Sequence, residues 1–166
     1  AGLVRDLLST PQALDDWLGP PERAMLQRLY VSNELTILNV VWAPKMTLLP
    51  HNHNTWAVIG VYAGREDNIL WRRVKDDPQG RIEAAGARSI ARGEVVAFGR
   101  DVVHSVTNPT TEFTGAIHVY GGNFFELHRS EWDPVSLDEC QYSIENALAL
   151  FDAENQVAAL RRQINA

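Results

Sequence analysis

Apolar positions change their spacing along the chain, and each change predicts a different kind of element. Over 1–26, Leu3, Val4, Leu7 and Leu8 recur in the threes and fours of a helix face. Thr10-Pro11 then reads as an N-cap followed by proline at the first helical position, and Leu14, Trp17 and Leu18 extend the stripe until Gly19-Pro20-Pro21 stops it. A short helical turn is expected over 22–26. From Gln27 the period drops to two, with Arg28, Tyr30 and Ser32 on one side and Leu29 and Val31 on the other. Runs rich in strand formers follow at 35–42, 56–62 and 69–74, with shorter strands at 81–84, 94–98, 103–106 and 113–120. The stretch 63–68 reads as a hairpin connection with Arg65-Glu66-Asp67 at its solvated tip, and 76–80 as a turn. Helical spacing returns over 141–164, where Ser143 serves as cap, Glu145 lies in the first turn and Arg161 and Arg162 near the end. Ile144, Leu148, Phe151, Val157, Leu160 and Ile164 form the stripe that this helix would lay over the strands. Many short strands punctuated by Gly and Pro predict a mainly β sandwich or jelly roll, not a parallel α/β sheet. The expected layout is one domain over 1–166: helical to 26, a β-barrel over 27–132, and a C-terminal helix over 141–164.

Composition narrows the partners more than the fold. The 166 residues suffice for one sizeable core, and 45% hydrophobic with 22% charged residues is ordinary for a globular chain. A net charge of -6 argues against nucleic acid and anionic membranes as partners, and Arg72-Arg73-Lys75 is too brief a basic run to reverse that. No apolar run reaches the length of a membrane span, and no signal-peptide pattern opens the sequence. Cys140 is the single cysteine, so an intrachain disulfide framework is excluded and ordinary packing is its expected role. A reducing, cytoplasmic setting and small-molecule partners are the resulting expectations.

The chemistry concentrates in the histidines. His51 and His53 lie two apart, so on a strand both project from one side. A third imidazole, His104, arriving from a neighbouring strand would complete one face of a mononuclear metal site. Imidazole suits zinc, copper, iron and nickel, so the ligands alone leave the metal open. Further along, His118 and Tyr120 share a side with Ala116. Two readings stand for them: a phenol placed near bound substrate and oriented by His118, or a buried pair that satisfies its own polar groups.

Gly93, Gly99, Asp101, His104 and Asn108 recur at the intervals of the second motif of the cupin superfamily. That resemblance implies a cupin double-stranded β-helix, a jelly-roll barrel with N-terminal helices and a C-terminal helix, in which a turn presents His104 toward His51 and His53. Many cupins place a glutamate four or five residues after the second histidine, where this chain has Ala57 and Val58. Three neutral imidazoles would leave the charge of a divalent metal uncompensated and so favour anionic ligands such as a thiolate.

Pro50-His51-Asn52-His53 with 56–60, His104, and His118-Val119-Tyr120-Gly121 together resemble the bacterial thiol dioxygenases, the cysteine and 3-mercaptopropionate dioxygenases. The match covers roughly 27–132. It implies an iron(II) centre held by His51, His53 and His104 that converts a small carboxylate-bearing thiol and O2 to a sulfinate, with zinc or nickel able to occupy the site in purified protein. Tyr120 would hydrogen-bond to the reacting sulfur or oxygen and His118 would support Tyr120. Three departures accompany the match. Ala116 stands where a serine usually begins the relay, and Asn52 where aspartate is common. Ala57 or Val58 lies about where animal cysteine dioxygenases carry a tyrosine-crosslinked cysteine, so no Cys-Tyr crosslink is expected. The substrate carboxylate needs a cation, for which Arg129 and Arg28 are the two candidates, each with a surface salt bridge as its alternative. Another metal-dependent cupin enzyme, or a non-catalytic metal-binding cupin, would use the same histidines.

Overall fold

The computed structural model describes residues 1–164; the last two positions of the expected 1–166 domain lie outside the described residues. Helices α1 (Gly2–Leu8) and α2 (Pro11–Leu18) form where the apolar spacing places them. The turn expected over 22–26 does not form as a helix, because strand β1 (Met25–Val31) already begins there and pairs with β2 (Leu35–Trp42) from Met25 onward. β3 (Thr47–Asn52), β4 (Ala57–Ala63) and β5 (Arg65–Arg73) follow, then β6 (Ile82–Ala91), β7 (Val95–Phe98), β8 (Val103–Thr107) and β9 (Thr114–Gly121). Short strands β10 (Ser130–Trp132) and β11 (Glu139–Gln141), absent from the sequence-based expectation, precede helix α3 (Ile144–Ile164).

The strands make two antiparallel sheets, ordered β1-β2-β9-β4-β7 and β11-β10-β3-β8-β5-β6. Apolar side chains of both sheets meet between them, among them Leu38, Val40, Ile59, Val61, Ala116 and Val106. β4 is apolar throughout because both of its faces are covered. Ala57, Ile59 and Val61 enter the core between the sheets, while Val58 and Tyr62 pack with Val4, Leu8 and Leu14 of the N-terminal helices. Gly60 permits that close approach, since a Cβ there would lie 2.5 Å from Val4 Cγ1.

Two expectations need correction at β5 and α3. The connection after β4 is a tight turn at Gly64 (φ 73°) rather than a six-residue loop, and Arg65-Glu66-Asp67 opens β5. Along that strand Glu66 and Asn68 are buried while Ile69 is exposed, so the usual polarity of alternation is inverted. On α3 the buried face is Ala147, Phe151 and Ala158, whereas Leu148, Val157, Leu160 and Ile164 are exposed. Phe151 packs on Trp42 at 5.4 Å between ring centroids, and Asn155 pairs with both backbone groups of Ala24. The helix thus covers the barrel as expected, through smaller side chains than the stripe suggested. Cys140 is exposed on β11 and not packed.

Candidate metal centre

β3 and β8 bring the histidines together. His51 and His104 are directly opposed in the β3–β8 register, and His53 follows one residue beyond the end of β3. Pro50, which cannot donate to a ladder, lies where the register shifts between Leu48 and His51. Asn54, in the left-handed region at φ 51°, turns the chain after His53. One ligand atom from each of the three buried imidazoles falls within 4.8 Å of the others, and Nε2 of His53 and His104 are 3.0 Å apart.

The surroundings leave the inward nitrogens free to bind a cation. His51 Nδ1 lies 2.8 Å from the carbonyl of Leu49, which can only accept, so Nδ1 carries the proton and Nε2 keeps its lone pair. His104 Nδ1 lies 2.7 Å from Asn68 Oδ1 and is held the same way. Burial lowers the pKa of His51 to about 4 and holds His53 and His104 well below the ordinary imidazole value, with neighbouring histidines adding to the effect. Three neutral imidazoles converging on one point, two of them with Nε2 lone pairs fixed inward, fit a borderline divalent metal; His53, whose Nδ1 has no partner among the described residues, turns Nε2 toward His104 Nε2.

The histidines line a cavity of about 30 Å³, together with Leu38, Val40, Trp42, His118, Tyr120, Phe124, Arg129 and Tyr142. That volume admits about one water molecule. Tyr120 stacks on Phe124 at 3.9 Å and meets His53 edge-on at 5.0 Å; burial raises the pKa of its phenol. Its hydroxyl lies 2.8 Å from His118 Nδ1, so the two side chains predicted to share a face also bond to each other.

Arg129, just before β10, is 4% exposed. Its guanidinium carbon lies 3.9 Å from the Phe124 ring centre and 4.0 Å from that of Tyr142, while Nε and Nη1 have no partner. Asn52, between the two ligands, and Asn54, just after them, hold this segment. Ser130 N–H donates to Asn52 Oδ1 at 2.8 Å, and Asn54 Nδ2 donates to the His128 carbonyl at 3.0 Å. Arg28 is not brought to the cavity; it is exposed and lies over the Phe125 ring at 3.8 Å. Trp56 is 45% exposed and does not line the cavity.

Sequence reasoning missed Glu66, Asn68, Phe124 and Tyr142. Glu66 is fully buried, accepts from Trp42 Nε1 at 2.6 Å and lies 3.5 Å from His118 Nε2. The signal that could have found Glu66 and Asn68 is their own spacing of two, which puts both on one side of a strand.

Comparison with solved structures agrees with this topology. BH2720 of Bacillus halodurans superposes with a TM-score of 0.53 at 13% identity, over 66% of this chain and 77% of that one. An uncharacterized conserved protein with a double-stranded β-helix domain from Klebsiella pneumoniae gives 0.50 at 11% identity, over 66% and 79%. The fold is the cupin double-stranded β-helix. An RmlC-like cupin family protein of Methanocaldococcus jannaschii gives a TM-score of 0.48 at 13% identity, over 61% of this chain and 83% of that one. No protein-family model matches the chain, and no curated protein matches it. The cupin barrel accounts for where the histidines converge, and such barrels host many chemistries.

Proposed function

We propose that this cupin is a non-haem iron(II) thiol dioxygenase that oxidises a small carboxylate-bearing thiol, cysteine or 3-mercaptopropionate, to its sulfinate. The observation that carries the reading is Arg129: a buried guanidinium with two unpartnered nitrogens, lining the same cavity as three neutral histidines. Arg129 keeps a hydrogen bond to Tyr142, but a buried cation with two donors left over is costly unless an anion arrives to meet them. Held by His51, His53 and His104, iron(II) would let the thiolate sulfur take both atoms of O2, losing four electrons to it, with no external reductant. Arg129 fixes the carboxylate through paired N–H bonds, Tyr120 orients the reacting end, and Leu38, Val40 and Phe124 keep water away. Because the cavity is water-sized, a thiol acid enters only if lining side chains move apart. No helix among the described residues is long and apolar enough to cross a membrane. We place the enzyme in the cytoplasm, where small thiols stay reduced.

Oxygen-electrode measurements on iron-loaded protein test this reading. Uptake with a thiol acid but not with its hydroxyl analogue, yielding one sulfinate per O2, is expected. Indifference to every small thiol would sink it. The tight cavity favours a second reading, a barrel that holds metal without turnover; it predicts strong metal binding and no oxygen consumption.

A further inference from the structure

Burying a carboxylate between two sheets requires partners, and Glu66 has only part of a set. Its Oε1 accepts from Trp42 Nε1, an indole that can only donate, while among the described residues Oε2 has no partner. Across from it His118 offers Nε2, which also lacks a partner. The two face each other at 3.5 Å in a region sealed from water, Glu66 reaching from β5 of one sheet and His118 from β9 of the other. Buried polar groups pair, and a small rotation of either side chain closes this gap. Ala116, the neighbour of His118 on the same side of β9, has no polar group to offer instead.

We infer that Glu66 is a positioning residue at the end of a chain Trp42–Glu66–His118–Tyr120. It holds the His118 proton on Nε2, so that Nδ1 accepts the Tyr120 hydroxyl proton and Tyr120 turns an oxygen lone pair toward the metal-side cavity. The logic is that of donor and acceptor inventory. Oε1 already accepts from an indole and presents only lone pairs, so an imidazole nitrogen facing it must bring the hydrogen. The neutral ring then has a bare Nδ1, and among the described residues the phenol 2.8 Å away is the group in position to donate to it. With its proton committed inward, Tyr120 accepts from a ligand in the cavity and does not donate to it. A thiolate has no hydrogen to offer Tyr120, so of the two thiol acids this favours cysteine, whose ammonium group can donate to the phenol oxygen. This deepens the proposed function, and rests on that reading only for the consequence at substrate.

The test is the tautomer of His118 in the full-length, metal-free protein, read from imidazole 15N shifts and two-bond 1H–15N couplings at mildly alkaline pH. The His118 signals are assigned by their loss in His118→Gln. The Nε2–H form is expected in the wild type, and equally in Tyr120→Phe, because Glu66 and not the phenol fixes it. In Glu66→Leu the preference should collapse toward a mixture. An Nδ1–H or doubly protonated ring in the wild type, a change in Tyr120→Phe, or an unaltered Nε2–H form in Glu66→Leu would each overturn the inference. Should Glu66→Leu fail to fold, the wild type and Tyr120→Phe decide: Nε2–H in both sustains it, and any other form in either refutes it. The reading uses no metal and no substrate, so a failure to oxidise thiols would remove the proposed function and leave this result standing.

Discussion

Arg129 is the residue whose environment is hardest to explain by folding alone. Burial strips its guanidinium of water and lowers its pKa, and two aromatic faces return only part of that loss. Arg129→Met should therefore leave the ligand-free protein at least as resistant to urea as the wild type. The same change should weaken a thiol acid by about ten- to hundredfold, the worth of a charge-assisted pair, in a binding titration or in kcat/KM. Asn68 makes the complementary case. It touches no substrate, yet its oxygen fixes the His104 ring so that Nε2 faces inward. Asn68→Ala should lower metal affinity by about ten- to hundredfold in a chelator competition. Both roles were only half legible in the chain. Arg129 can be singled out as a candidate cation, but the choice between it and Arg28 is a matter of which loop the barrel folds inward. Asn52 and Asn54, departures in the motif, are the side chains that tie down the backbone on either side of Arg129.

Elements, in contrast, were read well wherever burial is one-sided or complete. The N-terminal helices, β2, β4, β8 and β9 all lie where spacing and strand-forming side chains put them, and all but β8, which buries His104 and Ser105, bury mostly apolar surface. The first half of β5 escaped because its inward residues are polar: Glu66 and Asn68 point into the barrel while Ile69 faces water. Helix α3 lies where it was expected, but its buried face differs from the apolar stripe, since it uses alanines around one phenylalanine. Urea denaturation separates the two readings of α3. Phe151→Ala should cost about 3–5 kcal/mol, the loss of a large side chain packed against Trp42. Leu160→Ala, at 59% exposure, should stay within about 0.5 kcal/mol of the wild type.

The molecule as a whole stores its readiness for metal as a sensitivity to acid. Burial pushes the pKa of His51 down to about 4 from an ordinary imidazole value of about 6.5, and those of His53 and His104 are depressed as well. Below about pH 6.5 the unfolded chain takes up protons that the folded, metal-free barrel refuses, so these groups favour unfolding progressively as pH falls. Their full contribution is present above about pH 6.5. From there toward about pH 4 His51 should remove up to about 1.4 kcal/mol per pH unit, levelling off near 4, and His53 and His104 add to the loss in the same direction. Urea midpoints of metal-free protein between pH 8 and 4 check this. A flat profile would show that the imidazoles are more open to water than their burial implies.

The order of residues was enough to establish a mainly β barrel flanked by helices and to select three histidines, because both depend on local periodicity and on side-chain type. Which polar groups the two sheets enclose could not be read in that way. The opposition of β3 to β8, the inward turn of Arg129 and the meeting of Glu66 with His118 join residues far apart in the chain. Their partners follow from how the sheets stack, and a linear pattern of polarity records only that a residue is polar, not what closes around it.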